Sequence, residues 1–304
     1  MNGSPSVSIC IPTRDHAALL PDAIRSACGQ RHPSLEILVL DNASTDETPA
    51  IAARAAAADP RLRYVRHEQD LGMAGNFNAG VSMSRGEFVQ VLCDDDVLED
   101  GAAALLAQAL ASEPQAVLAA GGRIFADAAL RPGRVVRPRS KRECVDGSAL
   151  MRECFAYGNR IGEPSAVMFR RAFAARGFSD AYSQLVDLEM WFHLLAFGPA
   201  VLMPEGLCRV RQHADQMTEQ NIRSARLLED KRRLFHQFAL VLSSKLTRLQ
   251  KLAWDCRMAS SVARIRRVGG SACPLPSAEV FHPSLFRLLL IPAIATGWHL
   301  LRAG

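Results

Sequence analysis

The sequence predicts an α/β protein whose mostly parallel sheet is flanked by helices and followed by a helical C-terminal extension. Over the first 125 residues, short β-branched apolar runs alternate with alanine-rich helical stretches, an order typical of a parallel sheet covered on both faces. The chain has 304 residues, of which 49% are hydrophobic and 22% are charged. That balance indicates a globular protein with a sizeable core and excludes a disordered or fibrous one.

The strands and helices of this fold are predicted in regular order along the chain. Strands are expected at Val7–Ile11, Glu36–Leu40, Leu62–Arg66, Phe88–Cys93 and Ala116–Ala120, and helices at Ala17–Cys28, Thr48–Ala58, Asn76–Met83 and Gly101–Ala111. Gly29 suits the end of the first helix, and Pro49 suits the first turn of the second. The arginine- and proline-rich stretch 126–150 is predicted to be an exposed loop or flap. Helix dominates after it, including an amphipathic stretch over Tyr182–Phe197.

The net charge of +5 divides unevenly along the chain. Residues 1–230 hold 24 Lys and Arg against 29 Asp and Glu, which gives −5, and residues 231–304 hold 12 against 2, which gives +10. The basic arm lacks interleaved aromatic residues and any recognisable nucleic-acid-binding module, so no nucleic-acid partner is expected. Its pattern predicts interfacial helices on an anionic membrane, or helices that pack on the body of the protein. The apolar stretch Leu285–Leu301 is interrupted by Arg287 and Pro292 and does not predict a spanning helix.

The cysteines and the N-terminal residues indicate a compartment. The eight cysteines include no CxxC pair and show no regular spacing, and the N-terminal residues lack a basic-then-apolar export pattern. These features predict reduced thiols in a cytoplasmic protein.

Polar side chains follow three of the predicted strands. They are Thr13-Arg14-Asp15, Asp41-Asn42 and Asp94-Asp95-Asp96. In a parallel sheet the ligand site lies outside the carboxyl ends of the strands, so these groups are expected at one edge. Turn chemistry alone accounts for the second group. Three consecutive carboxylates repel one another unless a cation neutralises them, so the third group predicts a cation site.

The order and spacing of four segments resemble the inverting glycosyltransferases of family 2, which have the GT-A fold. The segments are VSICIPTRD, LVLDNASTDET, DLGMAGNFNAG and GEFVQVLCDDDVLEDGA, and the resemblance extends from residue 7 to about residue 215. It implies a metal-dependent enzyme of bacterial cell-surface glycan synthesis that moves a sugar from a UDP- or dTDP-sugar to a hydroxyl acceptor by single displacement. It also implies a catalytic domain over 1–217, with a nucleotide-sugar half (1–125) and an acceptor half (126–217), followed by a basic arm (218–304).

The resemblance assigns the donor side of the site to Asp94, which belongs to the acidic triplet, and to five residues outside that triplet. Pro12, Thr13 and Arg14 match a loop that packs against the base, and an ordinary surface role for Arg14 stays open. Asp41 matches an aspartate that accepts a hydrogen bond from the imide N–H of uracil or thymine. Because a carboxylate only accepts, it would reject the N3 of cytosine. Asn78 lies in a segment that lines the nucleotide, or it belongs to helix capping.

The acidic triplet matches the DxD-type metal motif of the family. By that resemblance Asp94 faces the ribose, and Asp95 binds Mg²⁺ or Mn²⁺, which acts as Lewis acid and template. Many relatives have another Asp where this chain has Cys93, so the register within the triplet is open and Asp96 is the alternative ligand. His213 matches a histidine after the last core strand that contacts the metal or the diphosphate, with a structural role as the alternative.

The acceptor side is implied by the second half of the chain. The segment VDLEMWFHLLAFG resembles a helix on which relatives carry the general base, with Asp187 at that position and Glu189 as its rival. Glu163 matches a loop at the acceptor pocket, where it would bind a sugar hydroxyl or form a simple turn. Trp191 would stack on a sugar ring or belong to the core.

Two other functions compete with the transferase. A nucleotidyltransferase needs a glycine-rich phosphate loop with a basic residue after the first strand, and PTRDHAAL lacks one. A non-catalytic sugar-nucleotide-binding protein does not require both Asp187 and the acidic triplet. The expected partners are therefore a nucleotide-sugar donor, a glycan or lipid-linked glycan acceptor, and a membrane surface contacted by the arm.

Overall fold

The computed structural model describes residues 6–213 and 226–242, and in this part the elements follow the predicted order. The strands are β1 (Val7–Thr13), β2 (Leu35–Asp41), β3 (Leu62–Arg66), β4 (Phe88–Val91), β5 (Val97–Leu98), β6 (Leu118–Ala126), β7 (Pro132–Val136), β8 (Glu143–Val145), β9 (Val167–Arg170) and β10 (Ala200–Arg211). The helices are α1 (Leu20–Cys28), α2 (Thr48–Ala58), α3 (Gly72–Met83), α4 (Ala102–Ala111), α5 (Gly147–Tyr157), α6 (Val186–Leu195) and α7 (Arg226–Leu242).

The strands form one mixed sheet with the order β3-β2-β1-β4-β9-β6-β10-β5, and β7 and β8 pair with β6 and β10. The first four strands are parallel to one another, as predicted for the nucleotide-sugar half. In the second half β9 runs antiparallel to β4 and β6, while β10 is parallel to β6. The predicted α/β class is therefore confirmed, and the antiparallel strands are confined to the second half.

The core is built where strands are buried on both faces. Every residue of β1 and β4 is buried, as is nearly all of β2. Helix α1 covers this region with Leu20, Ala23, Ile24 and Ala27, which recur at the spacing of one helix face. Parallel strands packed in this way end together at one edge, and the polar residues that follow them are held there by a rigid base.

The stretch 126–150 was predicted to be a loop, but it contains β7 and β8. Strand β7 pairs antiparallel with the second half of β6, and β8 pairs antiparallel with the start of β10. The arginines of β7 and the following turn are exposed. Exposed arginines and prolines hide the apolar alternation by which a strand is recognised, which explains why the sequence pattern misses these two edge strands.

The chain divides into two compact units. One unit holds residues 1–151, 160–181 and 186–213, and the other holds 152–159, 182–185 and 214–304. The predicted boundary at 217 and the apolar stretch Leu285–Leu301 lie outside the described residues. Among the described residues, no helix combines the length and apolar character needed to cross a membrane.

The described part of the second unit is organised around α7. This helix buries Leu228, Leu234 and Phe238. The buried Asp230 carboxylate accepts hydrogen bonds from three consecutive backbone N–H groups, those of residues 183–185, at 2.5–3.0 Å. In this part of the predicted basic arm the apolar side chains are therefore packed against protein, while Arg232 is exposed.

Candidate active site

The acidic loop that follows β4 lies at the carboxyl edge of the sheet, as the sequence predicts. Asp94 is buried, and its Oδ2 lies 2.9 Å from Nδ1 of His16. Asp95 is partly exposed, and its Oδ2 lies 3.2 Å from Nε2 of His213, which follows β10. Two carboxylates from one loop thus meet two imidazoles, one from the end of the first strand and one from the end of the last.

Asp96 is held differently from its two neighbours. It is buried, and its carboxylate accepts a hydrogen bond from Ser165 Oγ at 2.6 Å and one from the backbone N–H of Arg211 at 3.1 Å. Both oxygens of Asp96 are therefore engaged by the protein. Asp95, in contrast, has only His213 as a side-chain partner among its hydrogen bonds within the described residues.

The charge of this loop suits a divalent cation. Burial raises the pKa of Asp95, and the charge of Asp94 raises it further. Burial also raises the pKa of Asp96, and the charge of Asp95 adds to that effect. The ligand atoms of Cys93, Asp95 and Asp96 lie within 4.8 Å of one another. Because carboxylate oxygens and an imidazole nitrogen are ligands that Mg²⁺ and Mn²⁺ accept, the residues at this edge fit such an ion.

The expected nucleoside contacts lie at the ends of β1 and β2. Thr13 is buried and pairs in register with Asp41, and its Oγ1 has no hydrogen-bond partner within the described residues. Pro12 is buried beside Leu40 in the same pairing. Asp41 has no exposed surface: its Oδ1 accepts from the Ser44 N–H at 2.9 Å, and its Oδ2 accepts from the Tyr64 hydroxyl at 2.7 Å and pairs with Arg66 at 3.5 Å. A base can reach this carboxylate only where these partners, the Tyr64 hydroxyl first, give way.

Two residues expected on the donor side are bound to protein groups instead. Arg14 forms an ion pair with Asp70. Asn78 was expected to line the nucleotide or to cap a helix, but both ends of its side-chain amide bind the backbone of Phe178. Its Nδ2 donates to the Phe178 carbonyl at 2.9 Å, and its Oδ1 accepts from the Phe178 N–H at 2.6 Å. Asn78 therefore joins α3 to the second half of the chain.

The acceptor side is centred on Asp187 in the first turn of α6. Its Oδ1 accepts a hydrogen bond from the backbone N–H of Leu188 at 2.7 Å. Burial raises the pKa of Asp187 to about 7, and the negative charge of Glu163 contributes to the rise. A carboxyl with a pKa near the working pH is suited to accept a proton in a reaction and to release it afterwards.

A charged pair borders Asp187. Arg123 is buried on β6, and its Nη1 donates to Glu163 Oε2 at 2.7 Å, while its Nε has no hydrogen-bond partner in the part of the chain that the structure describes. The positive charge of Arg123 opposes the effect of Glu163 on the pKa of Asp187. The segment from Glu163 to Ser165 links the acidic loop to Asp187. Ser165 binds Asp96, and the negative charge of Glu163 helps to raise the pKa of Asp187.

Two alternatives of the sequence analysis are resolved by burial. Glu189, the rival of Asp187, has no exposed surface, and both its oxygens accept from the Arg176 guanidinium at 2.8 and 2.7 Å. Trp191 is also fully buried, its Nε1 donates to the Gly162 carbonyl, and it packs against Phe169. Of the two roles that the sequence leaves open for Trp191, burial therefore favours the core role, since the helix directs this ring into the core.

The sequence analysis missed four polar residues of the site. They are His16, Arg123, Ser165 and Arg211. His16 follows the PTRD segment directly, so its position after β1 is a signal that points to it. The two arginines lie within strands, where nothing in the local pattern distinguishes them from ordinary surface residues.

Comparisons with known proteins identify the family. The model of glycosyl transferase family 2 matches residues 8–177, which is more than half of the chain. An uncharacterized protein of Mycobacterium tuberculosis is 33% identical over 239 residues, which cover 76% of this chain and 74% of that protein. A Campylobacter jejuni GalNAc(5)-diNAcBac-PP-undecaprenol beta-1,3-glucosyltransferase is 37% identical over 105 residues, 34% of each chain.

Solved structures share the fold at low sequence identity. A mannosyltransferase from Pyrobaculum calidifontis, in complex with GDP-Man and Mn²⁺, aligns with a TM-score of 0.61 and 20% identity over 98% of this chain and 81% of its own. Residues 1–349 of TarS from S. aureus, in complex with UDP-GlcNAc, align with a TM-score of 0.57 and 14% identity over 86% and 82%. The fold is therefore GT-A. The chain belongs to glycosyltransferase family 2.

The raised pKa of Asp187 predicts how the reaction rate depends on pH. Only the ionised carboxylate accepts a proton, and a pKa of about 7 means that this form dominates only above neutral pH. We expect the rate under saturating substrates to fall about tenfold per unit below roughly pH 6 and to level off above roughly pH 8. A pH–rate profile checks this, and a rate that rises as the pH falls would contradict it.

Proposed function

We propose that this glycosyltransferase moves a sugar from a nucleoside diphosphate sugar to a hydroxyl acceptor by single displacement, with a divalent cation and with Asp187 as general base. One observation carries the proposal. The short segment Glu163–Ser165 joins the acidic loop to the base, because Ser165 binds Asp96 and Glu163 acts on the pKa of Asp187. The two chemical tasks of the reaction, stabilising a leaving diphosphate and taking a proton, thus fall to one connected set of residues.

Asp95 and His213 are the residues proposed to hold Mg²⁺ or Mn²⁺, with Asp96 in support. The 3.2 Å separation of Asp95 Oδ2 and His213 Nε2 brings two ligand types to one point. When bound, such an ion neutralises the charge that develops on the diphosphate. The mannosyltransferase neighbour, whose complex contains Mn²⁺, supports the choice of ion. Asp96 already accepts two hydrogen bonds, so its main part in this scheme is to fix the loop.

Asp187 is proposed to take the proton of the acceptor hydroxyl as its oxygen attacks the anomeric carbon. The bond from the anomeric carbon to the diphosphate breaks in the same step, and attack from the opposite face inverts the configuration. Glu163, held by Arg123, is placed to accept a hydrogen bond from an acceptor hydroxyl. When Asp187 and Glu163 both hold the acceptor in this scheme, its attacking hydroxyl is oriented in advance, which lowers the entropic part of the barrier.

The donor is proposed to be a UDP- or dTDP-sugar. In this scheme the imide of the base replaces the Tyr64 hydroxyl at Asp41, Pro12 packs against the base, and the unpartnered Thr13 hydroxyl binds the nucleoside. Asp94, positioned by His16, faces the ribose. The S. aureus neighbour in complex with UDP-GlcNAc supports a uridine donor, whereas the neighbour in complex with GDP-Man makes a guanosine donor the comparison to include.

The acceptor is proposed to be a glycan carried on a lipid diphosphate, used in cell-surface polysaccharide synthesis at the inner face of the membrane. The Campylobacter relative, named for an undecaprenol-diphosphate acceptor, supports this class. So does a basic hairpin, defined as residues 131–142, which holds five arginines and one lysine and no acid. Its strand β7 pairs with the part of β6 that carries Arg123, so the hairpin borders the acceptor half of the site.

The cations of the basic hairpin differ in their partners. Arg131 pairs with Asp127 at 2.7 Å, and Arg139 pairs with Glu143 at 2.9 Å. Within the described part of the chain, Arg134 and Arg137 have no carboxylate at ion-pair distance, and Arg134 lies over the Phe125 ring at 5.1 Å.

We also propose the division into a catalytic domain (1–217) and a basic arm (218–304) that makes peripheral membrane contact.

Release of nucleoside diphosphate tests the reaction class. With Mn²⁺, a lipid-linked acceptor and a panel of UDP-, dTDP- and GDP-sugars, we expect nucleoside diphosphate to form from a UDP- or dTDP-sugar.

Substitutions test the roles of the two carboxylates. We expect Asp187→Asn to lower the rate of transfer by about 10²–10⁴-fold, because the hydroxyl proton then has no acceptor, while calorimetry shows unchanged donor binding. Asp95→Ala should lose Mn²⁺-dependent turnover.

The exposed Asp100, in the turn between β5 and α4, gives a matched control. Asp100→Asn removes one carboxylate that lies four residues beyond the acidic triplet in the sequence and should leave turnover unchanged. Release of pyrophosphate in place of nucleoside diphosphate would identify a nucleotidyltransferase and contradict the proposal. Donor binding without any turnover, under every donor and acceptor, would identify a non-catalytic binding protein.

Paired substitutions in the basic hairpin test the acceptor class. Arg134→Gln with Arg137→Gln should raise KM for a diphosphate-linked acceptor about thirtyfold and leave KM for the donor unchanged, since two unneutralised cations near a phosphate contribute about 1 kcal/mol each. The control is Arg131→Gln with Arg139→Gln, which removes the same charge from arginines that neighbouring carboxylates neutralise. An equal rise for both pairs, or for a phosphate-free acceptor, would count against a phosphate contact.

A further inference from the structure

We propose that Arg211 is a positioning residue of the metal site, which fixes the acidic loop against the end of β10 and so holds Asp95 opposite His213. This inference rests on the proposed function, because it concerns the ion assigned to Asp95 and His213. Arg211 contacts neither the sugar nucleotide nor the ion in this account. Its role is to keep two ligands from distant parts of the chain at the distance that one ion requires.

The Arg211 side chain is buried, with 5% of its side-chain surface exposed, and all of its nitrogen groups bind defined partners. Its Nε donates to the backbone carbonyl of Asp95 at 2.8 Å. Its Nη1 donates to the carbonyl of Ala128, just after β6, at 2.6 Å, and its Nη2 donates to Asp22 of α1 at 2.8 Å. One guanidinium thus fastens the acidic loop to two separate elements.

The backbone of Arg211 acts on the same loop. Its N–H donates to Asp96 Oδ1 at 3.1 Å, so the acidic loop is bound by both the main chain and the side chain of one residue. Arg211 is the last residue of β10, and His213 lies two residues further on. The bonds of Arg211 to the acidic loop therefore fix the end of β10, and with it His213, relative to Asp95.

Arg211 binds the acidic loop without occupying the carboxylate of Asp95. Asp94, Asp95 and Asp96 repel one another, and two of them are buried, so the loop needs hydrogen bonds to hold it in place. Arg211 supplies two of these bonds: its backbone N–H donates to Asp96 and lowers the pKa of that carboxyl, and its Nε donates to the Asp95 carbonyl. The Asp95 side chain therefore remains available for an ion.

Arg209 offers a matched comparison on the same strand. It lies two residues before Arg211, and its Nε donates to Glu99 Oε1 at 2.5 Å while its Nη1 donates to the Leu130 carbonyl at 3.2 Å. Like Arg211, it joins β10 to a carboxylate and to the segment after β6. Within the described residues its side chain binds no residue of the acidic triplet, so a substitution there removes a similar set of bonds but not the contact with Asp95.

Mn²⁺ binding to the full-length, metal-free protein tests the proposal without any need for turnover. Titration of Mn²⁺, followed by the electron paramagnetic resonance signal of the free ion, gives the Kd for the wild type, Arg211→Met, Arg211→Lys and Arg209→Met. We expect Arg211→Met to weaken binding about 10–100-fold, as is usual for groups that orient metal ligands. Arg211→Lys keeps the positive charge but cannot make all three side-chain hydrogen bonds of the guanidinium, and it should weaken binding several-fold. Arg209→Met should bind Mn²⁺ as the wild type does.

Thermal unfolding of the metal-free variants separates this role from general stability. We expect Arg211→Lys and Arg209→Met to unfold at similar temperatures and to differ only in Mn²⁺ affinity. Should Arg211→Met fail to fold, Arg211→Lys carries the test, and wild-type affinity in that variant would overturn the proposal. Equal weakening by Arg209→Met would also overturn it. Absence of Mn²⁺ binding by the wild type would instead refute the metal site of the proposed function, and this role with it.

Discussion

Negative charge buried at the carboxyl edge of the sheet is the constraint on which the rest of the site depends. Burial raises the pKa of both Asp95 and Asp96, so an edge without compensating groups would protonate or open. Side chains from distant elements of the fold bind these carboxylates and their loop. His16 comes from the end of β1, Ser165 from the turn before β9, and Arg211 and His213 from the end of β10. The same interactions that make the carboxylates tolerable also define their geometry.

The two halves of the sheet divide the work of such a site. The parallel half brings the ends of β1, β2 and β4 to one edge, and the mixed half contributes β6, β9 and β10, which supply the positively charged and hydrogen-bonding partners. The turn before β9 is the link, since Ser165 binds the acidic loop and Glu163 binds Arg123 near Asp187. The antiparallel insertion of β9 between β4 and β6 is therefore what brings the turn with Glu163 and Ser165 to the acidic loop.

The sequence predicts those parts of the fold and site for which chemistry restricts the residue type. Strand periodicity and turn residues located β1 to β4, and the acidic triplet stands out because consecutive carboxylates are costly unless used, whereas Asp187 is indicated only by the resemblance of its helix to the family. The sequence pattern assigns a residue to a helix but does not decide what that face of the helix meets. For that reason it left two roles open for both Trp191 and Asn78, of which one enters the core and the other binds the Phe178 backbone. Arg211 could not be predicted because its partners come from elements far apart in the chain.

The central claim of this account is that Asp95 and His213 hold one divalent cation beside the donor diphosphate. The most direct measurement is anomalous diffraction from crystals of the full-length protein grown with Mn²⁺ and UDP. The account predicts a Mn²⁺ peak bound to Asp95 and His213, at coordination distances of about 2.0–2.4 Å, and in contact with diphosphate oxygens. A well-ordered UDP with Mn²⁺ bound elsewhere, or with no ion at these two residues, would contradict it.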